Sequence, residues 1–178
     1  MNSNQNAIYS LLPEFKLELI KSLNPVVTAK VLPDDVILVL IPWIGDLART
    51  LDDHAKDTAA IILFNVGDSH QKKKLLKKSA HEEALKISRT MNDANTTFKL
   101  HEAQFRNEFG SGEFEKSLEI LDEVIVDLSN QNVAKEIALN FIGLLNELLP
   151  ELGRRKKKKW LDRFTERYQL INSKFLEE

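Results

Sequence analysis

No proline interrupts the chain between Pro42 and Pro150. An interior proline costs a helix about 3 kcal/mol and removes one of its hydrogen bonds, so a stretch this long without one is open to helices throughout. Its apolar residues recur at helical steps. Leu76, Ala80, Ala84, Ile87 and Met91 line one face after Ser69, which is expected to cap that helix. Beyond Asn95, Phe98, His101, Phe105 and Phe109 share a face, and Gly110-Ser111-Gly112 supplies a stop because glycine reaches the left-handed conformation readily. Phe114, Leu118, Leu121, Ile125 and Leu128 describe a third helix, which Ser129-Asn130-Gln131-Asn132 breaks. Val133, Ile137, Phe141, Leu144 and Leu148 describe a fourth, expected to stop at Pro150. Trp160, Phe164, Tyr168, Ile171 and Phe175 describe the last. Short connections between such segments point to antiparallel neighbours in a bundle.

The N-terminal third allows two readings. Tyr9 to Leu23 spells a helix entered near Pro13, with Phe15, Leu19 and Leu23 inward. After it, Val26–Leu32 and Val36–Ile41 flank Pro33-Asp34-Asp35, the pattern of a β-hairpin, and Ala59–Phe64 would be a third strand. In the competing reading Asp34 caps a helix that continues past Pro42 through Leu40, Ile44, Leu47 and Leu51. Asp57 then caps a buried helix ending at Gly67. Helices are favoured, because so few strands beside a helical bundle make a poor sheet. The segment Leu40-Ile41-Pro42-Trp43-Ile44-Gly45-Asp46-Leu47 resembles a Pro-x-x-Gly-Asp helical element of several bacterial families, some membrane-adjacent and some preceding toxin domains. That resemblance implies a helix there and no particular activity. The expected fold is all-α, a bundle of about seven or eight helices in one domain spanning 1–178. Its apolar N-terminal part, 1–67, forms a central core on a helical bundle, 69–178; a small β-hairpin within 26–41 is the alternative.

At 178 residues the chain can bury a sizeable core without disulfides or metals. It has no cysteine, which removes thiol nucleophiles, Cys-zinc sites and iron–sulfur clusters. Met1-Asn2-Ser3-Asn4-Gln5-Asn6 lacks the charge and apolar run of a signal peptide, so a cytoplasmic location is expected. The apolar runs Val36–Ile44 and Ala59–Phe64 fall well short of the roughly 20 residues of a membrane span, and charges bound the first on both sides. No transmembrane span is expected.

Total charge nearly cancels, 25 Lys+Arg against 27 Asp+Glu, but its distribution is uneven. Lys72, Lys73, Lys74, Lys77 and Lys78 form one basic run; Arg154, Arg155, Lys156, Lys157, Lys158 and Lys159 form another, followed by Arg163 and Arg167. Cations at a helix N-terminus oppose its dipole by about 0.3–1 kcal/mol. Either the runs bind an anionic partner or the helix boundaries lie elsewhere. An acidic segment, Glu113, Glu115, Glu119, Asp122, Glu123 and Asp127, offers internal neutralisation. If the host is eukaryotic, the second run has the form of a nuclear-localisation signal.

The histidines, His54, His70, His81 and His101, include a ligand-like spacing in Asp53-His54 with Asp57, but no recognised metal motif. They read as structural. Gly110-Ser111-Gly112 reads as a turn rather than a phosphate loop, since no lysine stands in P-loop position. No catalytic, cofactor-binding or metal-binding residue is singled out, and no cofactor is expected. The function expected is a non-enzymatic helical protein–protein interaction module (adaptor, regulator or neutralising accessory protein), with a protein partner or homo-oligomerisation. The alternative is a peripheral binder of nucleic acid or of an anionic membrane surface through the two basic runs.

Overall fold

The structure, a computed structural model, describes residues 12–29, 31–70, 72–92, 94–130, 135–154 and 157–175. Among them are eight helices and no strand: α1 Pro13–Thr28, α2 Asp34–Ala48, α3 Asp53–Ser69, α4 Lys74–Ser88, α5 Asn95–Gly110, α6 Phe114–Asn130, α7 Lys135–Arg154 and α8 Lys158–Phe175. The chain is an all-α multi-helix protein. Contacts cluster it into two compact units, divided between Leu100 and His101 within α5.

The hairpin alternative within 26–41 is not what the chain adopts. Val26 and Val27 lie in the last turn of α1, and residues 34–41 lie in α2. The reason lies in which apolar residues are buried. Ile37, Ile41, Ile44 and Ala48 are covered at steps of three and four, while Val36 and Val39 are exposed; a strand would alternate faces at every residue.

Several helix ends also differ from the sequence expectation. Asp34 is the first residue of α2 rather than its cap; the cap position is Pro33, in an extended conformation, and Asp34 and Asp35 occupy the first turn. There their charges complement the positive end of the helix dipole. Helix α3 is capped by Asp52, whose carboxylate accepts from the Ala55 N–H at 2.9 Å, and not by Asp57. Ser69 is the last residue of α3, its hydroxyl donating to the Val66 carbonyl at 2.7 Å, so it cannot start α4. Helix α7 runs through Pro150 to Arg154. Pro150 is exposed, whereas Leu152 beyond it is buried, which keeps the last turn against the core.

In the first unit, α4 packs on α2 and α3, and α1 packs on α2 and α3. The core is largely aliphatic: Ile20, Val27, Ile37, Ile41, Ile44, Leu47, Leu63, Leu76 and Ile87, with Ala59, Ala60, Ala80 and Ala84 where the helices come close, and Phe64 and Phe98 as its buried phenyl rings. The second unit is built around rings. Phe164 of α8 meets Phe105 edge-on at 6.1 Å between centroids and Phe109 at 5.6 Å, and Phe114 lies 5.4 Å from Phe109 and 5.7 Å from Trp160. Edge-to-face geometry sets the positive rim of one ring against the negative face of the next.

The expected stop at Gly110-Ser111-Gly112 is present. The Glu113 N–H donates to the Glu108 carbonyl at 2.9 Å and the Gly112 N–H to that of Phe109 at 3.0 Å. This pair of bonds closes the helix end when the residue after the cap turns left-handed, and Gly112 has φ 78°. Gly112→Ala is expected to lower stability by about 1 kcal/mol. Gly110→Ala, where an added Cβ meets nothing within 4 Å, is expected to be neutral or stabilising by up to about 1 kcal/mol. Urea denaturation of both variants checks the contrast.

Candidate functional site

The two basic runs are divided between the two units. In the first unit, α4 begins at Lys74 with Lys73 at the cap position; no side chain caps it and no acid stands in its first turn. Lys72, Lys74 and Lys78 are exposed. Lys73 forms an ion pair with Asp34 across to the start of α2, and Lys78 lies 3.6 Å from Glu82 one turn along. In the second unit, Arg154 ends α7, where a cation suits the negative end of the dipole. Lys157 precedes α8, and Lys158 and Lys159 open it, again with no acid in the first turn. Arg155 and Lys156 lie outside the described residues.

Helix boundaries therefore do place lysines at two positive helix ends. Internal neutralisation occurs, but farther along α8. Arg163 grips Glu115 of α6 with two bonds of 2.6 and 2.8 Å, and Arg167 grips Asp122 with bonds of 3.0 and 3.2 Å. The Arg163 hydrogen bonds hold the Glu115 carboxyl below its ordinary range. Hydrogen bonds donated to Glu115 and Asp122 raise the pKa of the Arg163 and Arg167 guanidinium groups. Lys116 takes up Glu113 at 3.3 Å and Glu108 at 3.8 Å. The planar guanidinium fork fits a carboxylate in a way a lysine cannot, so α6 engages the arginines after the run. Lys159 and Arg163 sit over the half-buried Trp160 ring, 5.8 and 5.2 Å from its centroid.

Three of the four histidines are buried, each in a structural setting. His70, just after α3, donates from Nε2 to the Val27 carbonyl of α1 at 2.8 Å. His81 of α4 stacks on Phe64 with centroids 4.3 Å apart. Its Nε2 lies 3.2 Å from Asp68 Oδ1 but out of line for a hydrogen bond. His101 Nε2 lies 2.8 Å from Asp127 Oδ2. His54 is exposed, and the carboxylates flanking it are engaged elsewhere: Asp53 accepts from the Asn92 N–H at 3.0 Å, and Asp57 accepts from the Thr96 hydroxyl. Among the described residues no group of His, Asp and Glu could hold a metal ion.

The sequence reading missed a buried carboxylate. Glu83, 5% exposed, points from α4 at Gly45 of α2 and is bonded by Arg49 and, at 3.2 Å, by Lys86. Burial works against the Arg49 charge, but hydrogen bonds to Glu83 and Asp46 outweigh it and raise its pKa. The available signal was a glycine inside a helical pattern, an exchange that costs roughly 1 kcal/mol relative to alanine unless packing requires it.

No protein-family model, curated protein or solved structure matches the chain. Among the described residues no helix is long and apolar enough to cross a membrane.

Two outcomes test the packing of the first unit. A Cβ at Gly67 would lie 2.3 Å from His81 Cδ2 and 3.2 Å from the Lys77 carbonyl. The ring is held against Phe64, so Gly67→Ala is expected to cost about 1–3 kcal/mol in chemical denaturation. The Asn92 N–H, helped by Lys56, holds the Asp53 carboxyl below its ordinary range. A depressed folded pKa contributes stability that is complete above the ordinary carboxylate range and lost as pH falls through the folded value. Stability followed downward from about pH 5 should therefore fall less in Asp53→Asn than in the parent chain.

Proposed function

We propose that the chain is a cytoplasmic, non-enzymatic helical interaction module that binds a protein partner, a second copy of itself included. One observation carries this reading: an apolar ridge on the outer side of α2. Val39 is 70% exposed, Val36 and Pro42 are exposed and Trp43 is half-buried, all at helical spacing opposite the buried Ile37, Ile41 and Ile44. Such a ridge on an otherwise well-packed helix suits the groove or face of another helix. The engagement of His70, His81, His101 and Glu83 in packing contacts supports the same reading. Val39→Glu is expected to change stability by no more than about 0.5 kcal/mol and to abolish association, measured by light scattering of the purified chain and by co-purification from its native host. A solitary monomer in both measurements would sink the reading.

A second reading is favoured by the lysines at the starts of α4 and α8, where neither first turn carries an acid. An anionic partner would relieve both the repulsion among the lysines and their conflict with the helix dipoles. Affinity for a polyanion such as heparin should fall steeply with salt. It should also drop on replacing Lys157, Lys158 and Lys159 together with Gln; affinity unchanged by those replacements would end this reading.

A further inference from the structure

We infer that one end of the first unit docks onto an anionic lipid surface, with Val31 and Leu75 entering the apolar layer and lysines meeting the headgroups. This rests on the reading of a cationic binding surface and names its partner. Two contacts assemble that end. The His70–Val27 hydrogen bond of 2.8 Å ties the end of α3 to the last turn of α1, and the Lys73–Asp34 ion pair ties the start of α4 to the start of α2. The α1–α2 connection and the first turn of α4 are thereby brought to the same end of the unit.

Three apolar side chains are exposed there. Val31, in the connection, is 73% exposed; Leu75, in the first turn of α4, is 65% exposed; and Val26, in the last turn of α1, is also exposed. Leu75 is set among Lys72, Lys74 and Lys78, all exposed, and Lys72 and Lys74 have no acidic partner among the described residues. Among the described residues the carboxylates near these lysines are Asp34, held by Lys73, Glu82, 3.6 Å from Lys78, the exposed Asp35, and the half-buried Asp68, 3.2 Å from His81. Lys72 and Lys74 add positive charge beyond those pairs.

The combination discriminates between anionic partners. A nucleic-acid backbone rewards the lysines but has no use for a projecting leucine and valine. A membrane interface rewards both, since apolar side chains enter the acyl boundary while lysines remain at the anionic headgroups. It also needs no preformed groove, which suits side chains projecting from helix ends and a connection. Among the described residues no helix spans a bilayer, so the attachment is peripheral.

The test is co-sedimentation of the full chain with vesicles of phosphatidylcholine alone and of phosphatidylcholine mixed with phosphatidylserine, alongside a gel shift with a short DNA duplex. Binding to the phosphatidylserine vesicles alone is expected. Lys72→Gln with Lys74→Gln should weaken it about 25-fold, each lysine near the surface being worth about fivefold. Leu75→Gln should weaken it about tenfold, and circular dichroism should be unchanged because the replaced side chains are exposed. Vesicle binding that Leu75→Gln and Val31→Gln leave intact would overturn the inference. So would lysine-dependent DNA binding without vesicle binding, although the cationic-surface reading would then stand. Binding to neither vesicles nor DNA would overturn both.

Discussion

Helix α4 can lie against both α2 and α3 because two positions on those helices carry no Cβ. Gly45 leaves the space that the Glu83 carboxylate occupies, and Gly67 leaves the space filled by the edge of the His81 ring. Around these two approaches the small residues Ala59, Ala60, Ala80 and Ala84 are buried, and the aliphatic core closes. A buried carboxylate is costly without compensation; Arg49 and Lys86 supply it. The placement of α4 then determines where its lysine-bearing first turn and its exposed leucine emerge.

Charge in this protein is sorted by chemistry as much as by position. The two arginines of α8 are held by carboxylates of α6 through paired bonds, whereas Lys72, Lys74, Lys157 and Lys158 at the starts of α4 and α8 are exposed, and Lys159 lies over the Trp160 ring. A lysine is a flexible, strongly hydrated point charge, and holding it in an exposed pair gains at most about 1 kcal/mol. Paired guanidinium–carboxylate bonds therefore join α8 to α6, while at the start of α4 Lys73 pairs with Asp34 and Lys72 and Lys74 are exposed.

Much of the architecture was legible in the sequence, and its errors have identifiable causes. Phe98, His101, Phe105 and Phe109 were expected to share a face, and all four are buried. Residues 36–41 are apolar at every position, so strand and helix periods matched equally well; burial of Ile37 and Ile41 with exposure of Val36 and Val39 separates them. Caps were misplaced where candidates crowd together, as with Asp52, Asp53 and Asp57, because only geometry shows which carboxylate reaches an N–H. The basic runs could be read directly. Their neighbours could not, since Lys73 meets Asp34 across 39 residues and Arg163 meets Glu115 across 48. Leu76 was expected on the inward face of its helix and is buried, while Leu75 beside it, off that periodic face, is exposed.

The two units differ in how they fill their interiors, mainly aliphatic and alanine-rich in one and with a cluster of phenylalanine rings in the other. Each also holds one of the chain's two tryptophans, Trp43 in α2 and Trp160 in α8. Trp43 lies on the outer flank of its helix, while Trp160 packs on Phe114 beneath two cations. Nature has thus given each unit its own optical reporter in a distinct environment. Replacing one tryptophan at a time would let intrinsic fluorescence follow the melting of either unit separately, without any attached label.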